Sequence, residues 1–260
     1  MDIEKLFEDL DFINSREGRP VRILAEFLEA KTKLEKHNIN NTIVMFGSAR
    51  IKDPKEAQQL LDQAKKENAT NIKTFEDMVY ISKYYQAAQE LAYRFAMWSK
   101  NTFAQRPLDK FYICTGGGGG IMEACNRGAK DANEKSIGFN ISLPFEQTAN
   151  PYLEKDFIFD FNYFFLRKFW FSYLAKAFLV FPGGFGTMDE LFEVLTLIQT
   201  HKMRKIVPIV LFGKDFFEPL INMDLFVKYS LIKEEDKKLF IITDDMEEAY
   251  SYVINGIKPQ

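Results

Sequence analysis

Residues 181–190, Phe-Pro-Gly-Gly-Phe-Gly-Thr-Met-Asp-Glu, join the parts of an anion cradle to an acid. Gly183, Gly184 and Gly186 let a backbone approach a phosphate closely, and a helix that starts just after them presents free N–H groups and a positive dipole end. Thr187 can cap that helix and can also donate its hydroxyl to a phosphate oxygen. Glu190 follows about one turn further on. A carboxylate repels a phosphate, so Glu190 calls for a chemical role rather than a binding one. Asp189 lies in the first turn, where an acid complements the helix dipole.

A second segment has the same build. The apolar run 111–115 precedes five glycines, 116–120, and then Ile121-Met122-Glu123-Ala124 opens a helix. Neither loop is a P-loop, because no Gly-Lys-Ser/Thr follows the glycines. The dinucleotide fingerprint fails at position 121, which is Ile. A lone glycine loop reads as a tight turn. Two of them, each between a strand and a helix, read as one phosphate site if their strands neighbour each other. Gly47-Ser48-Ala49-Arg50 closes an earlier strand in a similar place.

The elements that must position these groups follow from hydrophobic periodicity. Strands are expected at 42–46, 111–115, 136–141, 157–161, 177–181, 206–212 and 240–243. Pro208 within the sixth hints at an irregular or edge position. Helices are expected at 54–68, 78–100, after Gly120, at 162–176, after Thr187 and at 244–254. This alternation implies an α/β fold, a doubly wound and mostly parallel sheet with helices on both faces. All three glycine-bearing turns then fall at carboxyl ends of strands, where such sheets bind ligands. Residues 1–40 read as a separate helical extension, and 41–260 as the α/β domain that carries these turns. The segment Asn162-Tyr163-Phe164-Phe165-Leu166-Arg167-Lys168-Phe169-Trp170-Phe171 is apolar nearly all round as a helix, which implies burial in a core or subunit interface. Arg167 there needs a partner: an internal ion pair, a ligand phosphate or ribose, or Glu190. Lys168 falls on the solvent side or at the rim.

The chain has 260 residues, 47% of them apolar, enough for one large core. A formal net charge of −3 argues against binding nucleic acid by phosphate neutralisation. Two histidines are too few for a histidine metal site, and no cluster of ligands suggests a metal or another cofactor. Cys114 and Cys125 read as buried free thiols suited to a reducing compartment. No apolar run has the length of a membrane span, and the N-terminal residues lack a signal-peptide layout. The expectation is a cytoplasmic protein without membrane or nucleic-acid partners.

Together these residues resemble the LOG ("Lonely guy") family of nucleotide phosphoribohydrolases, often mislabelled lysine decarboxylases, in its longer bacterial form. Pro182 to Glu190 fits the family's Pro-Gly-Gly-x-Gly-Thr-x-x-Glu motif in full, Arg167-Lys168 matches its upstream Arg-Lys, and 116–124 looks like its other loop. Gly119 departs from the usual proline there, which should loosen the loop. The resemblance spans about residues 40–255. It implies that 41–260 is a Rossmann-like nucleotide-binding catalytic domain, with Arg167 and Glu190 as the catalytic pair, and Gly183, Gly184, Gly186 and Thr187 as a 5′-phosphate cradle. Gly117, Gly118 and Ser48 would assist, with Met122, Glu123, Lys168 and Asp189 in a second tier.

The implied reaction is hydrolysis of the N-glycosidic bond of a nucleoside 5′-monophosphate, giving free base and ribose 5-phosphate. AMP is the default substrate, and N6-modified AMP such as a cytokinin riboside 5′-monophosphate is the other. Arg167 would hold Glu190 ionised, and Phe139, Tyr163 and Met122 would shape the base pocket. The family pairs its subunits near the aromatic helix, so a homodimer or higher homo-oligomer is expected. Competing readings are a non-catalytic nucleotide or molybdenum-cofactor carrier of the same fold, a nucleotide sensor that uses residues 1–40 in assembly, and, more distantly, a dehydrogenase.

Overall fold

A computed structural model describes residues 5, 8–143, 148–203, 205 and 207–257. In chain order the elements are α1 (Leu10–Asn14), α2 (Arg19–Lys36), β1 (Asn41–Phe46), α3 (Pro54–Lys66), α4 (Ile72–Ile81) and α5 (Lys83–Thr102). Then come β2 (Phe111–Thr115), α6 (Ile121–Asp131), β3 (Ser136–Ile141), β4 (Ile158–Phe161), α7 (Phe164–Leu174), β5 (Ala175–Val180) and α8 (Phe185–Gln199). The chain closes with β6 (Ile209–Phe212), α9 (Lys214–Leu220), α10 (Met223–Lys228), β7 (Ile241–Thr243) and α11 (Met246–Gly256).

The seven strands form one sheet in the order β4-β3-β2-β1-β5-β6-β7. Every pairing is parallel. Strands covered on both faces need apolar residues on both, and β1 shows this: Val44 and Phe46 join the core beneath α2, α7 and α8, while Ile43 and Met45 join the core beneath α5, α6 and α11. The chain builds outward from β1 to β4, returns to β5 beside β1, and then builds the other way. That reversal between β1 and β5 is the crevice where this architecture takes ligands.

Two helix and strand expectations need correcting. The helix foreseen over 78–100 is two helices meeting at Ser82. The Ser82 amide closes α4 on Met78 and Val79, and its hydroxyl donates to the Val79 carbonyl at 2.7 Å. This local bond competes with helix continuation, as serine often does. Pro208 does not mark an edge. It stands just before β6, which lies between β5 and β7, and its carbonyl accepts from the Phe178 amide at 3.0 Å. Residue 206, the start of the strand foreseen there, lies outside the described residues.

Helix α2 packs against α7. Ala30 and Leu34 are buried in the sheet's core, and the Phe27 ring stacks on Trp170 with centroids 5.2 Å apart. The Glu26 carboxylate accepts from the Asn162 and Tyr163 amides, each at 3.1 Å. It thereby serves amides at the entry to α7, where a negative charge is also favoured by the helix dipole. Burial of α7 is one-sided: Leu166, Trp170, Phe171 and Leu174 face inward, while Phe164, Phe165, Phe169 and Tyr173 are exposed. Of the core or interface burial expected of this helix, one face is met by the core of this chain and the other is open to solvent.

Candidate active site

A cleft of about 880 Å³ opens at the carboxyl ends of β1 and β5. Its walls come from the turn after β1, the start of the 116–120 loop, α7 and the first turns of α8. Ser48 ties the two glycine segments together. Its amide donates to the Pro182 carbonyl at 3.0 Å, its carbonyl accepts from the Ile121 amide at 3.0 Å, and its hydroxyl accepts from the Arg50 amide at 3.1 Å.

Helix α8 begins at Phe185 with Gly184 as its N-cap, and no side chain caps it. Thr187 is therefore the third helical residue, and the capping role foreseen for it is corrected. Its hydroxyl instead lies against the backbone of Gly183, where a Cβ would stand 2.1 Å from Oγ1. Only glycine permits that approach. Around Gly184 and Gly186 the space is open. All of 183–188 line the cleft, and the first N–H groups of an α-helix have no acceptor within it.

Arg167 on α7 and Glu190 on α8 meet at the cleft floor, Nη2 to Oε1 at 2.9 Å. Their side chains are 13% and 7% exposed. The guanidinium lies 5.3 Å from the Phe164 ring centroid and 5.7 Å from that of Phe171. Burial pushes the Glu190 pKa up, Arg167 and Lys168 pull it back, and the balance stays above the ordinary value of 4.5. Arg167 therefore favours the ionised carboxylate, as expected of it, against a desolvation penalty that is larger.

The remaining candidates are placed as follows. Ser48 and Met122 line the cleft. Gly116 does as well, whereas Gly117 and Gly118 stand behind it with their carbonyls turned to Asn150, whose Nδ2 donates to them at 3.1 and 3.0 Å. Gly117 has φ +75°, a conformation that favours glycine. Glu123 accepts from the Tyr85 hydroxyl at 3.2 Å and lies off the cleft. Lys168 bridges Asp189 at 2.7 Å and Glu193 at 2.9 Å on the outer side of α7 and α8. Burial lowers the Lys168 pKa, but the two carboxylates outweigh it and raise the pKa overall. Phe139 is fully buried in the core and Tyr163 does not line the cleft, so of the three residues expected to shape a base pocket only Met122 does.

Sequence reasoning gave no role to Asn150 or Arg50. Asn150 is buried, and its Nδ2 also donates to Asn126 Oδ1 at 2.8 Å, an atom that accepts from Thr115 Oγ1 at 2.8 Å as well. The one local signal for it is the Asn-Pro dipeptide at 150–151, which marks a turn. Arg50 was visible in the Gly-Ser-Ala-Arg turn. Among the described residues no group of three or more His, Cys, Asp or Glu is disposed to hold a metal ion. No described helix is long and apolar enough to cross a membrane.

A parallel sheet with a glycine-lined cleft and a buried Arg–Glu pair at its switch point defines a class of α/β protein, and the comparisons say which family within it the chain falls in. A family model described as "Possible lysine decarboxylase" matches residues 122–253, just over half the chain. The chain belongs to this family, the LOG family. The cytokinin riboside 5′-monophosphate phosphoribohydrolase LOG of Oryza sativa subsp. japonica is 30% identical over 141 residues, 53% of this chain and 55% of its own length. The pyrimidine/purine nucleotide 5′-monophosphate nucleosidase of Escherichia coli (strain K12) is 28% identical over 167 residues, 59% of this chain and 36% of its own. The chain thus spans between about a third and just over half of these relatives. The solved structure of the structural-genomics target TM1055 superposes with a TM-score of 0.50 at 16% identity, over 83% of this chain and 99% of that one, a likeness of fold.

Proposed function

We propose that this chain is a glycosidase-type hydrolase acting on a nucleoside 5′-monophosphate, AMP or an N6-modified AMP, and releasing free base and ribose 5-phosphate. One observation carries the reading: the buried Arg167–Glu190 pair opens on the same cleft as the glycine-lined N-terminus of α8. The names of the rice and Escherichia coli relatives support it.

In this reading the 5′-phosphate sits against 183–187 and Ser48, and its binding positions the sugar over Glu190. The C1′–N bond breaks with its electron pair leaving on the base, as C1′ becomes cation-like. Ionised Glu190 faces that developing charge and orients the attacking water. The water oxygen bonds to C1′, one proton stays on the new hydroxyl, and the other ends on the departing base. Arg167 fixes the carboxylate and grips the ribose or phosphate. The apolar wall of Met122, Ile141, Leu143 and Phe164 receives the base by packing.

The exposed row Phe165, Phe169, Tyr173, Phe185 and Phe192 beside the cleft supports pairing of two copies through α7 and α8. Free, buried Cys114 and Cys125 fit the reducing cytoplasm.

The test is a panel of nucleoside 5′-monophosphates incubated with purified protein and assayed for free base and ribose 5-phosphate. Release of adenine from AMP or an N6-modified AMP supports the reading. Tight nucleotide binding with no base released from any of the panel replaces it with a carrier.

A further inference from the structure

We propose that Arg50 is the cation that meets the substrate's phosphate. This rests on the reading of the cleft as a nucleoside-monophosphate site. Three charged residues line the cleft among the described residues: Arg50, Arg167 and Glu190. The last two neutralise each other across 2.9 Å. Lys168, next along the helix, is engaged by Asp189 and Glu193 outside the cleft.

A phosphate monoester carries a charge of about −1.5 to −2 at neutral pH. The N-terminus of α8 supplies only about half a positive charge. The remainder needs a full cation. Arg50 lines the cleft, and its guanidinium has no hydrogen bond or ion pair to a described residue. Its backbone is well placed for the task. The Arg50 amide is held by the Ser48 hydroxyl, and Ser48 itself is bonded to Pro182 on one side and Ile121 on the other. Arg50 therefore projects from a turn fastened between both glycine segments. Its planar fork suits two phosphate oxygens at once, which an ammonium cannot match. Arg167 then serves Glu190 and the sugar, and Arg50 the phosphate.

The test compares wild type, Arg50→Ala and Arg50→Lys for binding of ribose 5-phosphate and of ribose by calorimetry, alongside base release from nucleotides. Arg50 is exposed, and thermal unfolding checks that each variant keeps the fold. Arg50→Ala should weaken ribose 5-phosphate by about tenfold to a hundredfold, the scale of a charge-assisted contact. Ribose binding should not change, Arg50→Lys should recover part of the loss, and the kinetic loss should fall on KM. Equal ribose 5-phosphate affinity in Arg50→Ala and wild type overturns the proposal. So does an equal loss for ribose and ribose 5-phosphate, or a wild-type chain that does not bind ribose 5-phosphate. An Arg50-dependent ribose 5-phosphate site in a protein that releases no base leaves this proposal standing and refutes the hydrolase reading alone.

Discussion

The two glycine segments look alike in sequence and do different work in the fold. Residues 116–120 are largely buried, two of their carbonyls are bonded by Asn150, and Gly117 and Gly120 have positive φ. Residues 183–187 line the cleft, with open space at Gly184 and Gly186 and Phe185 96% exposed. One segment is a fastened buttress and the other is a face open to the cleft. Glycine in the first relieves backbone strain and close packing. In the second, at 184 and 186, it leaves room.

The largest expected effect tests the cleft-facing side. Glu190→Gln should cut base release by about a hundredfold or more while phosphate-dependent binding persists, as measured by steady-state kinetics and ribose 5-phosphate titration. Burial, only partly offset by Arg167 and Lys168, holds the Glu190 pKa above 4.5. The working carboxylate is therefore protonated at a higher pH than an exposed one. The acid limb of kcat/KM should lie at higher pH than an exposed glutamate would set, and Glu190→Gln should abolish it. The stability linkage has the matching sign: with its folded pKa raised, Glu190 contributes most to stability in acid, and this contribution is lost as pH rises through the raised value.

Asn150→Ala attacks the buttress. It removes several buried hydrogen bonds at once and should cost about 2–3 kcal/mol in chemical denaturation. Next comes a matched pair. A Cβ at Gly117 would stand 2.5 Å from Asn140 Oδ1 at φ +75°, so Gly117→Ala should lose about 1–3 kcal/mol of stability. Gly184→Ala, in open space, should shift stability by no more than about 0.5 kcal/mol yet raise KM, because its methyl enters the cradle. If both variants lose stability equally, the contrast between the segments is broken. The smallest effect on function is at Gly119, where a Cβ would make only ordinary contacts, 3.6 Å from the Ala49 carbonyl oxygen and 3.9 Å from Glu123. Gly119→Ala should raise stability by about 0.4–1 kcal/mol by restricting the unfolded chain.

The sheet was legible because buried strands are short apolar stretches: 177–181 is a continuous run, and 136–141 alternates Ile, Phe and Ile with Ser, Gly and Asn. The meeting of Arg167 with Glu190 was also foreseeable, since a guanidinium among aromatics must find an acid and the motif offers one. Contacts made at a distance were not. Nothing local to Asn150 shows that it reaches back to Gly117 and Gly118, and nothing in Lys168 names Asp189 and Glu193 as its partners. The break at Ser82 was hidden because serine is tolerated within helices, and only its bond to Val79 ends one there. Helices α9 and α10, of 7 and 6 residues, are too short to show a helical period.

Ser48 spends its amide on one glycine segment and its carbonyl on the other, so neither can shift without tugging the same short link. Past the last rung of the β1–β5 ladder, where the Phe181 amide meets the Phe46 carbonyl, Ser48 buckles the two turns at the mouth of the cleft. Loosening that buckle would splay both jaws together, so the grip on a ligand's tail and the alignment of its reacting end should fail as one event rather than two.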